Sequence, residues 1–212
     1  MKIKLFTNLK KRHNRNTTPN LVSGFTIIEA LVAIFILTIS ISSMLGVTAS
    51  SISFAKYADN EIVSNYLLQE AVDYIRNDRD TIAFQMKDDP SGGWNNFLTK
   101  YNSCLTNLCD IKVNESHSVK PPYNDVLSCG NAGCEALYYI KDNANVSNPN
   151  FFYSHDGSGV LSNFTRSIKM EKIIVNGIPN DNQIKITVTL DWKNGAGSKS
   201  QTLVSYLLNW QQ

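Results

Sequence analysis

The stretch Ser23–Val47, SGFTIIEALVAIFILTISISSMLGV, decides how this chain begins to fold. From Phe25 to Val47, 16 of the 23 residues are apolar and one residue, Glu29, is charged. As a helix these residues extend about 35 Å at about 1.5 Å per residue, whereas the hydrocarbon core of a bilayer is about 30 Å thick. A core helix of a soluble domain seldom runs this long without a polar face. The sequence therefore predicts one membrane-spanning helix.

Charge is distributed unevenly on the two sides of this stretch. Residues 1–24 carry six basic side chains and no acidic one, whereas the remainder carries 14 basic and 18 acidic side chains, a net of −4. By the positive-inside rule, the N-terminus should stay in the cytoplasm and the residues after Val47 should lie outside. Because the remainder is acidic and lacks a clustered basic run, nucleic acid is not an expected partner.

Two ordinary export segments share this design. A cleaved secretory signal has a basic region, an apolar region and a small-residue cleavage site, which Val47-Thr48-Ala49 could supply. A signal anchor needs only the basic and apolar regions. Neither kind of segment requires a carboxylate at position 29. A carboxylate in the hydrocarbon core has a high free-energy cost, so its presence needs an explanation. The position of Glu29 is therefore the feature that a function has to explain.

The run GFTIIEALVAIFIL, residues 24–37, resembles the N-terminal signature of type IV prepilins and of type II secretion pseudopilins. Its EALVAIFIL part is more similar to PilV-type minor pilins and minor pseudopilins than to major pilins. The resemblance implies that prepilin peptidase removes a basic leader, residues 1–24, by cutting after Gly24. It also implies N-methylation of the new terminal residue, Phe25, and an assembly role for Glu29 at mature position five. Many major pilins have a kinking proline at mature position 22, where this chain has Gly46.

A buried pair of charges would explain Glu29 physically. Cleavage before Phe25 creates a charged amine at the start of an apolar helix, and Glu29 of a neighbouring subunit can neutralise that amine in a dry filament core. Such a pair also fixes axial register, as buried polar contacts do in coiled coils. The alternative is a helix-start carboxylate that is stabilised by the helix dipole.

The first half of the chain after the leader is predicted to be one helix, from about Phe25 to Lys87. No proline occurs between Pro19 and Pro90, and four residues follow one another at helical spacings of 4, 4 and 3: Val63, Leu67, Ala71 and Tyr74. DDPSGGW, residues 88–94, should end the helix. Residues from Ser91 to about Asn150 are predicted to form loops and short strands, with EALYYI the best strand candidate.

The C-terminal third predicts an antiparallel sheet. In IKITVTLDW, five apolar residues alternate with polar ones: Ile184, Ile186, Val188, Leu190 and Trp192. Asn194-Gly195 favours a hairpin tip, TLVSYLLNW should be the partner strand, and FTRSIKMEKIIV a third strand. On the partner strand, one side carries Val204, Tyr206, Leu208 and Trp210.

The expected fold is therefore α+β. A long N-terminal helix, residues 25–87 with a transmembrane part at about 25–47, packs on the C-terminal antiparallel sheet of a globular head, residues 88–212. The pilin resemblance implies the same lollipop arrangement. It also implies the partners: other pilin or pseudopilin subunits, the prepilin peptidase, the inner-membrane assembly platform and the membrane itself.

Four cysteines lie in the head, at positions 104, 109, 129 and 134. An even number of cysteines downstream of an export segment is typical of disulfides formed in an oxidising compartment, and four cysteines allow three pairings. Cys104, Cys109, Cys129 and Cys134 could instead surround one zinc ion, but their spacing is longer than the common zinc spacing. Disulfides are the prediction, and neither a metal nor a cofactor is expected.

The sequence contains little that indicates catalysis. The histidines are His13 in the leader, His117 in a loop, and His155 in a predicted His155-Asp156-Gly157 turn. Glycosylation patterns begin at Asn114, Asn145 and Asn163, but such matches arise by chance in an Asn-rich chain. The predicted function is a filament subunit in the cytoplasmic membrane, not an enzyme. The alternatives are an exported or anchored binding domain cut near Ala49, and an exported hydrolase that would use His117 and His155.

Overall fold

The computed structural model describes residues 24–113, 124–142, 150–155, 157, 159–194 and 197–210. The chain forms two compact units, Met1–Ser51 and Ile52–Gln212. The boundary falls inside the first helix, α1 (Ile27–Gln85), so each unit contains part of that helix. Several predicted features lie outside the described residues: the leader before Gly24, His117, Asp156, Gly195, and the glycosylation patterns at Asn114 and Asn145.

Helix α1 is 59 residues long and runs without a break through the charged segment Arg76–Asp80. The prediction of a helix from about Phe25 to Lys87 is therefore confirmed to within two residues at each end. None of the 18 residues in the most apolar stretch of α1 is buried in the protein. By length and composition, α1 can cross a membrane once.

In the second unit, the remainder of α1 packs against a sheet. The predicted stripe is confirmed, because Leu67, Ala71 and Tyr74 are buried and Val63 is partly buried. The same side of the helix continues to Ile82. This packing gives the α+β arrangement that the alternating and helical periodicities predicted.

Two short helices follow where the sequence predicted loops. Helix α2 (Pro90–Lys100) begins directly after Asp89, whose Oδ1 accepts the Gly92 N–H at 2.9 Å, and Pro90 occupies the first helical turn. Both features start helices, so a segment that stops α1 also starts α2. Trp94, Phe97 and Tyr101 are buried against the core, and α3 (Asn102–Thr106) follows. The loop prediction was wrong here because the spacing of these three aromatic residues is itself helical.

Within the described ranges, seven antiparallel strands form one sheet. They are β1 (Cys109–Ile111), β2 (Val126–Ser128), β3 (Ala136–Asp142), β4 (Asn150–Ser154), β5 (Val160–Val175), β6 (Ile178–Asn194) and β7 (Gly197–Leu208). Strand β5 is central: β6 covers one edge and continues to β7, whereas β3 and β1 pair with successive parts of the other edge. Strand β4 pairs with β3, and β2 pairs with β1. The predicted strands EALYYI, FTRSIKMEKIIV, IKITVTLDW and TLVSYLLNW are thus confirmed.

The sheet buries one face. All five alternating residues of β6, from Ile184 to Trp192, are at most 4% exposed, as predicted. On β7 the buried residues are Ser205 and Leu207, so the apolar row that includes Val204 and Tyr206 lies on the outer face. This row is the exposed side of the edge strand.

The hairpin between β5 and β6 turns at Asn176-Gly177. Both residues have positive φ, 53° and 81°, and they connect the paired residues Val175 and Ile178. Positive φ at both central positions is the geometry of a two-residue type I′ turn, which Asn-Gly adopts readily. Sequence reasoning applied this signal to Asn194-Gly195 and overlooked the same dipeptide 18 residues earlier.

Candidate functional site

The start of α1 holds the residues that the sequence singled out, and Thr26 caps the helix there. The Glu29 N–H donates to Thr26 Oγ1 over 3.3 Å, and the Ala30 N–H donates to the Thr26 carbonyl over 3.1 Å. With Thr26 as the N-cap, Glu29 occupies the third helical position, where the acidic residue of a capping box stands. Sequence reasoning recognised a helix-start role for Glu29 but overlooked Thr26-x-x-Glu29, which is the signal for this cap.

Gly24 and Phe25 precede the helix and are exposed. A Cβ added to Gly24 would meet no atom within 4 Å, and the backbone there does not have a positive φ. Among the described residues, nothing therefore requires glycine at position 24.

The apolar part of α1 presents its side chains outwards on all sides. Large residues such as Ile27, Ile28 and Met44 are more than 70% exposed. Residues 30–55 carry no charged side chain, and these 26 residues extend about 39 Å as a helix. A surface of this size and character needs an apolar environment, either lipid or other apolar helices.

Seven of the eight hydroxyl groups in this segment, all but that of Ser53, are satisfied internally. Each of the seven donates to a carbonyl oxygen three or four residues earlier, over 2.8–3.1 Å, and the donors are Thr38, Ser40, Ser42, Ser43, Thr48, Ser50 and Ser51. Such bonds remove the cost of bringing a free hydroxyl into an apolar medium. Seven polar residues thus remain compatible with an apolar surrounding, which composition alone does not reveal.

The four cysteines form two local disulfides, Cys104–Cys109 and Cys129–Cys134. The first joins α3 to β1 and is completely buried, whereas the second closes the loop after β2 and is partly exposed. Within the described parts of the chain, no group of three or more His, Cys, Asp and Glu residues is arranged to hold a metal ion. The cysteines therefore act as two separate cross-links in this structure.

Arg166 on β5 is the centre of a buried polar cluster. Its Nε donates to Asp110 Oδ1 at 2.7 Å, one terminal nitrogen donates to Glu70 Oε2 at 3.0 Å, and the other donates to the Ile111 carbonyl at 2.9 Å. Burial raises the pKa of Glu70, and the opposing attraction of Arg166 does not cancel this effect. Burial lowers the pKa of Arg166, but Asp110 and Glu70 outweigh it and raise that pKa overall. The cluster joins α1, β1 and β5.

A second buried cluster surrounds Lys100. Its Nζ lies 2.7 Å from Oδ2 of both Asp78 and Asp125, and all three side chains are fully buried. Tyr101 donates to Asp78 and Tyr74 donates to Asp125, each over 2.9 Å. Burial and then the charge of Asp78 raise the pKa of Tyr101 well above its usual value. Asp78 continues the spacing of the apolar stripe on α1, which is the signal that could have identified it as buried.

His155 follows β4, at the start of the predicted turn, and its ring is buried. Its Nε2 is 2.6 Å from Asp110 Oδ2, and the side chain is 4% exposed. The other ring nitrogen, Nδ1, has no hydrogen-bond partner among the described residues. A catalytic triad would place a nucleophile on that second nitrogen, and no such contact occurs among the described residues.

No protein-family model, curated protein sequence or solved structure matches this chain. The start of α1, its exposed apolar segment and the disulfide-linked second unit are therefore the observations on which a function can rest.

Proposed function

We propose that this chain is a minor pilin or pseudopilin, a structural subunit and not an enzyme. The precursor is held in the cytoplasmic membrane, and prepilin peptidase cuts it after Gly24 and leaves Phe25 to be N-methylated. The mature subunit then joins a type IV pilus or a type II secretion pseudopilus. The observation that carries the proposal is an exposed apolar helical segment whose single charge, Glu29, lies at the third position of the helix.

The apolar segment suits a subunit that moves between two apolar environments. Its exposed side chains need lipid before assembly and the apolar helices of neighbouring subunits afterwards. The hydroxyl groups of residues such as Ser40 and Ser51 bond to carbonyl oxygens of the same helix, so these hydrogen bonds are kept when the helix moves from lipid into the filament. Release from the bilayer therefore leaves none of these groups unsatisfied.

Glu29 supplies the polar contact that selects assembly. In the membrane its carboxylate is costly, so a partner of opposite charge is favourable. The Phe25 amine that cleavage creates on a neighbouring subunit is such a partner, and the pair fixes the axial position of one subunit against the next. The Thr26 cap holds the first turn of the helix, and with it the backbone that carries Glu29.

The charges and the cysteines support the proposed orientation in the membrane. The basic residues before Gly24 favour a cytoplasmic N-terminus with a single crossing. The second unit then lies outside the cytoplasm, where the two disulfides can form and persist. The charges and the cross-links thus support a subunit whose second unit lies outside the cytoplasm.

The alternative is an exported or anchored binding domain with an ordinary signal sequence cut near Ala49. Ala49 lies within α1, which is continuous from Ile27 to Gln85, so the helix would have to open before a peptidase could cut there. Intact mass of the mature protein from its native membrane separates the two functions. A chain that begins at Phe25 with one added methyl group supports the filament subunit, whereas a chain that begins at Ser50 overturns it.

A further inference from the structure

Lys100, the last residue of α2, holds its amine between two carboxylates in the interior of the second unit. Its Nζ lies 2.7 Å from Asp78 Oδ2 on α1 and 2.7 Å from Asp125 Oδ2 in the turn before β2, and all three side chains are completely buried. With all three groups ionised, the cluster has one negative charge in excess. Burial of charge is costly, so a reaction that removes charge from this cluster is favoured. An amine and a carboxyl group in contact have such a reaction, which is condensation to an amide.

Aromatic rings surround the amine. Lys100 Nζ lies 5.9 Å from the centre of the Tyr101 ring, and the Phe97 ring lies 5.0 Å from Tyr101 and 5.3 Å from Trp94. All three aromatic residues are buried. Rings of this kind keep water away from the cluster, and without water the charged forms of an amine and a carboxyl group lose their solvation. The neutral amine, which is the form that can attack a carbonyl carbon, is thereby favoured over its population in water.

The two carboxylates differ in how their oxygens are bonded. Asp125 Oδ2 accepts from the Tyr74 hydroxyl over 2.9 Å, whereas Asp125 Oδ1 is buried and has no hydrogen-bond partner among the described residues. A buried acceptor without a partner is destabilising. If Asp125 condenses with Lys100, Oδ1 leaves as water, and Oδ2 stays as the amide carbonyl oxygen with its hydrogen bond from Tyr74. The product thus lacks both the ion pair and the unpaired atom.

We propose that Lys100 and Asp125 are joined by an intramolecular isopeptide bond, with Asp78 as the proton carrier. The Asp78 carboxylate takes a proton from the Lys100 ammonium, and the neutral amine then attacks Asp125 Cγ. The C–N bond forms, the bond from Cγ to Oδ1 breaks, and Asp78 gives its proton to the leaving oxygen. Two of the three ammonium protons leave in water and one stays on the amide nitrogen, so the step needs no oxidant, reductant or cofactor. Tyr101 donates to Asp78 Oδ2 over 2.9 Å and holds this carboxylate beside the amine.

The fold supplies the proximity that the condensation requires. Groups that are held in reacting geometry behave as if present at about 10⁵–10⁸ M, which offsets the tendency of water to hydrolyse an amide. The backbone at Asp125 is fixed because its carbonyl accepts the Lys112 N–H over 2.8 Å, and Lys100 is fixed by its place at the end of α2. The bond would connect α2 covalently to the turn before β2. It has no part in the proposed assembly, so it stands or falls separately from the filament function.

The test is mass spectrometry of the full-length mature chain, purified from its native membrane and then fully reduced and alkylated. We expect a mass about 18 Da below the value calculated for the same N-terminus, and a branched tryptic peptide that joins Lys100 to Asp125. Lys172 and Asp181 are the control in the same digest, because they are the same residue types 2.5 Å apart in an exposed pair and should be recovered unlinked. Unlinked peptides at Lys100 and Asp125 overturn the proposal, and a branch from Lys100 to Asp78 overturns the choice of carboxyl group.

Substitutions test the role of each carboxylate. Asp125→Ala should abolish the branched peptide, whereas Asp181→Ala, the matched control, should leave it unchanged. Asp78→Asn keeps the shape of the side chain but cannot take the proton, so it should slow formation of the bond about 10²–10⁴-fold, as measured on pulse-labelled protein. Equal rates in Asp78→Asn and the natural chain would overturn proton transfer by Asp78. If either variant fails to accumulate, the mass of the natural chain still decides whether the bond exists.

Discussion

Arg166 and Asp110 form an ion pair in the interior of the second unit, with Arg166 Nε 2.7 Å from Asp110 Oδ1 and both side chains at most 2% exposed. The pair joins the central strand β5 to the short strand β1, and the backbone register between these two strands pairs Cys109 with Ile168. Other groups that contact the pair include Glu70, His155 and the Ile111 carbonyl. Because these partners depend on one another, loss of one charge leaves the others buried without compensation.

Arg166→Met should therefore destabilise the protein by about 3–5 kcal/mol, the cost of an uncompensated buried carboxylate. Lys185→Met is the matched control, because Lys185 pairs with Glu171 over 3.3 Å in an exposed position. Its cost should be about 0–1 kcal/mol. Urea unfolding of the full chain in detergent, monitored by near-UV circular dichroism, measures both. Equal losses of unfolding free energy in the two variants would show that the buried pair stabilises the protein no more than the exposed pair does.

The raised pKa of Glu70 predicts a pH dependence of stability with a definite sign. Burial makes the folded state hold this proton at pH values where the unfolded state, near its usual 4.5, has released it. The contribution of Glu70 to the free energy of unfolding is thus greatest below the pKa of the unfolded state, and it falls as the pH rises through the pKa of the folded state. Glu70→Gln removes the titration, so the stability of the natural protein should fall relative to this variant as pH increases from 4 to 7. The free energies of unfolding of both proteins across this range provide the measurement, and an opposite trend would mean that pairing with Arg166 outweighs burial.

The two disulfides should differ in their accessibility to reductant. Cys104 and Cys109 are fully buried, whereas Cys129 and Cys134 are partly exposed. Under native conditions a mild phosphine should first reduce Cys129–Cys134, and alkylation with peptide mass spectrometry identifies the freed thiols. Replacing Cys104 and Cys109 together by alanine should cost about 2 kcal/mol for so short a loop. Free thiols at all four positions in the unreduced, denatured protein would contradict the pairing.

Gly24→Val separates a folding requirement from a processing requirement. A Cβ at position 24 meets nothing within 4 Å, so the substitution should leave insertion and the second unit unchanged. A peptidase that approaches the backbone closely would be obstructed, and full-length precursor should accumulate in the membrane. Immunoblots for precursor and mature forms provide the measurement, with Ser23→Val as the neighbouring control. Continued cleavage at the same bond in Gly24→Val would show that the site is wrongly assigned.

The parts of the fold that sequence predicted correctly are those with local periodic signals. The alternation from Ile184 to Trp192 predicted a strand and its buried face, and the stripe through Leu67 and Ala71 predicted the packed side of α1. Helix α2 was missed although its signals are local, since Pro90 and the glycines that follow it also end helices. A segment that both stops one helix and starts another gives two opposite indications.

The polar clusters could not be predicted because they depend on contacts between distant positions. Arg166 meets Glu70 across 96 residues and Asp110 across 56 residues. On β5, Arg166 occupies the inward position between Phe164 and Ile168, and a basic residue at such a position does not reveal which acid it meets. A cavity lined by Asp110, His155 and the Cys129–Cys134 loop has the same origin, since its lining residues come from β1, the disulfide loop and the end of β4.

Glu29 has two candidate roles, and the Thr26 cap makes it possible to separate them. Thr26→Ala removes the hydroxyl that accepts the Glu29 N–H but keeps the carboxylate, and it should cost the helix start about 0.5–2 kcal/mol. Glu29→Gln removes the charge but keeps a side chain that capping boxes accept at this position.

If Glu29 pairs with the Phe25 amine of a neighbour, Glu29→Gln should strongly reduce the ratio of filament-associated to membrane-associated protein, whereas Thr26→Ala should reduce it little. Removing a charge lowers the cost of residence in the bilayer, so the Gln variant should be at least as well inserted as the natural chain. Lost assembly then cannot be attributed to poor insertion. The ratio is measured at matched expression in cells that also express the natural major subunit. The reverse result is a ratio that falls in Thr26→Ala and is unchanged in Glu29→Gln. It would mean that Glu29 acts in capping the helix and that the charge pair has no part in assembly.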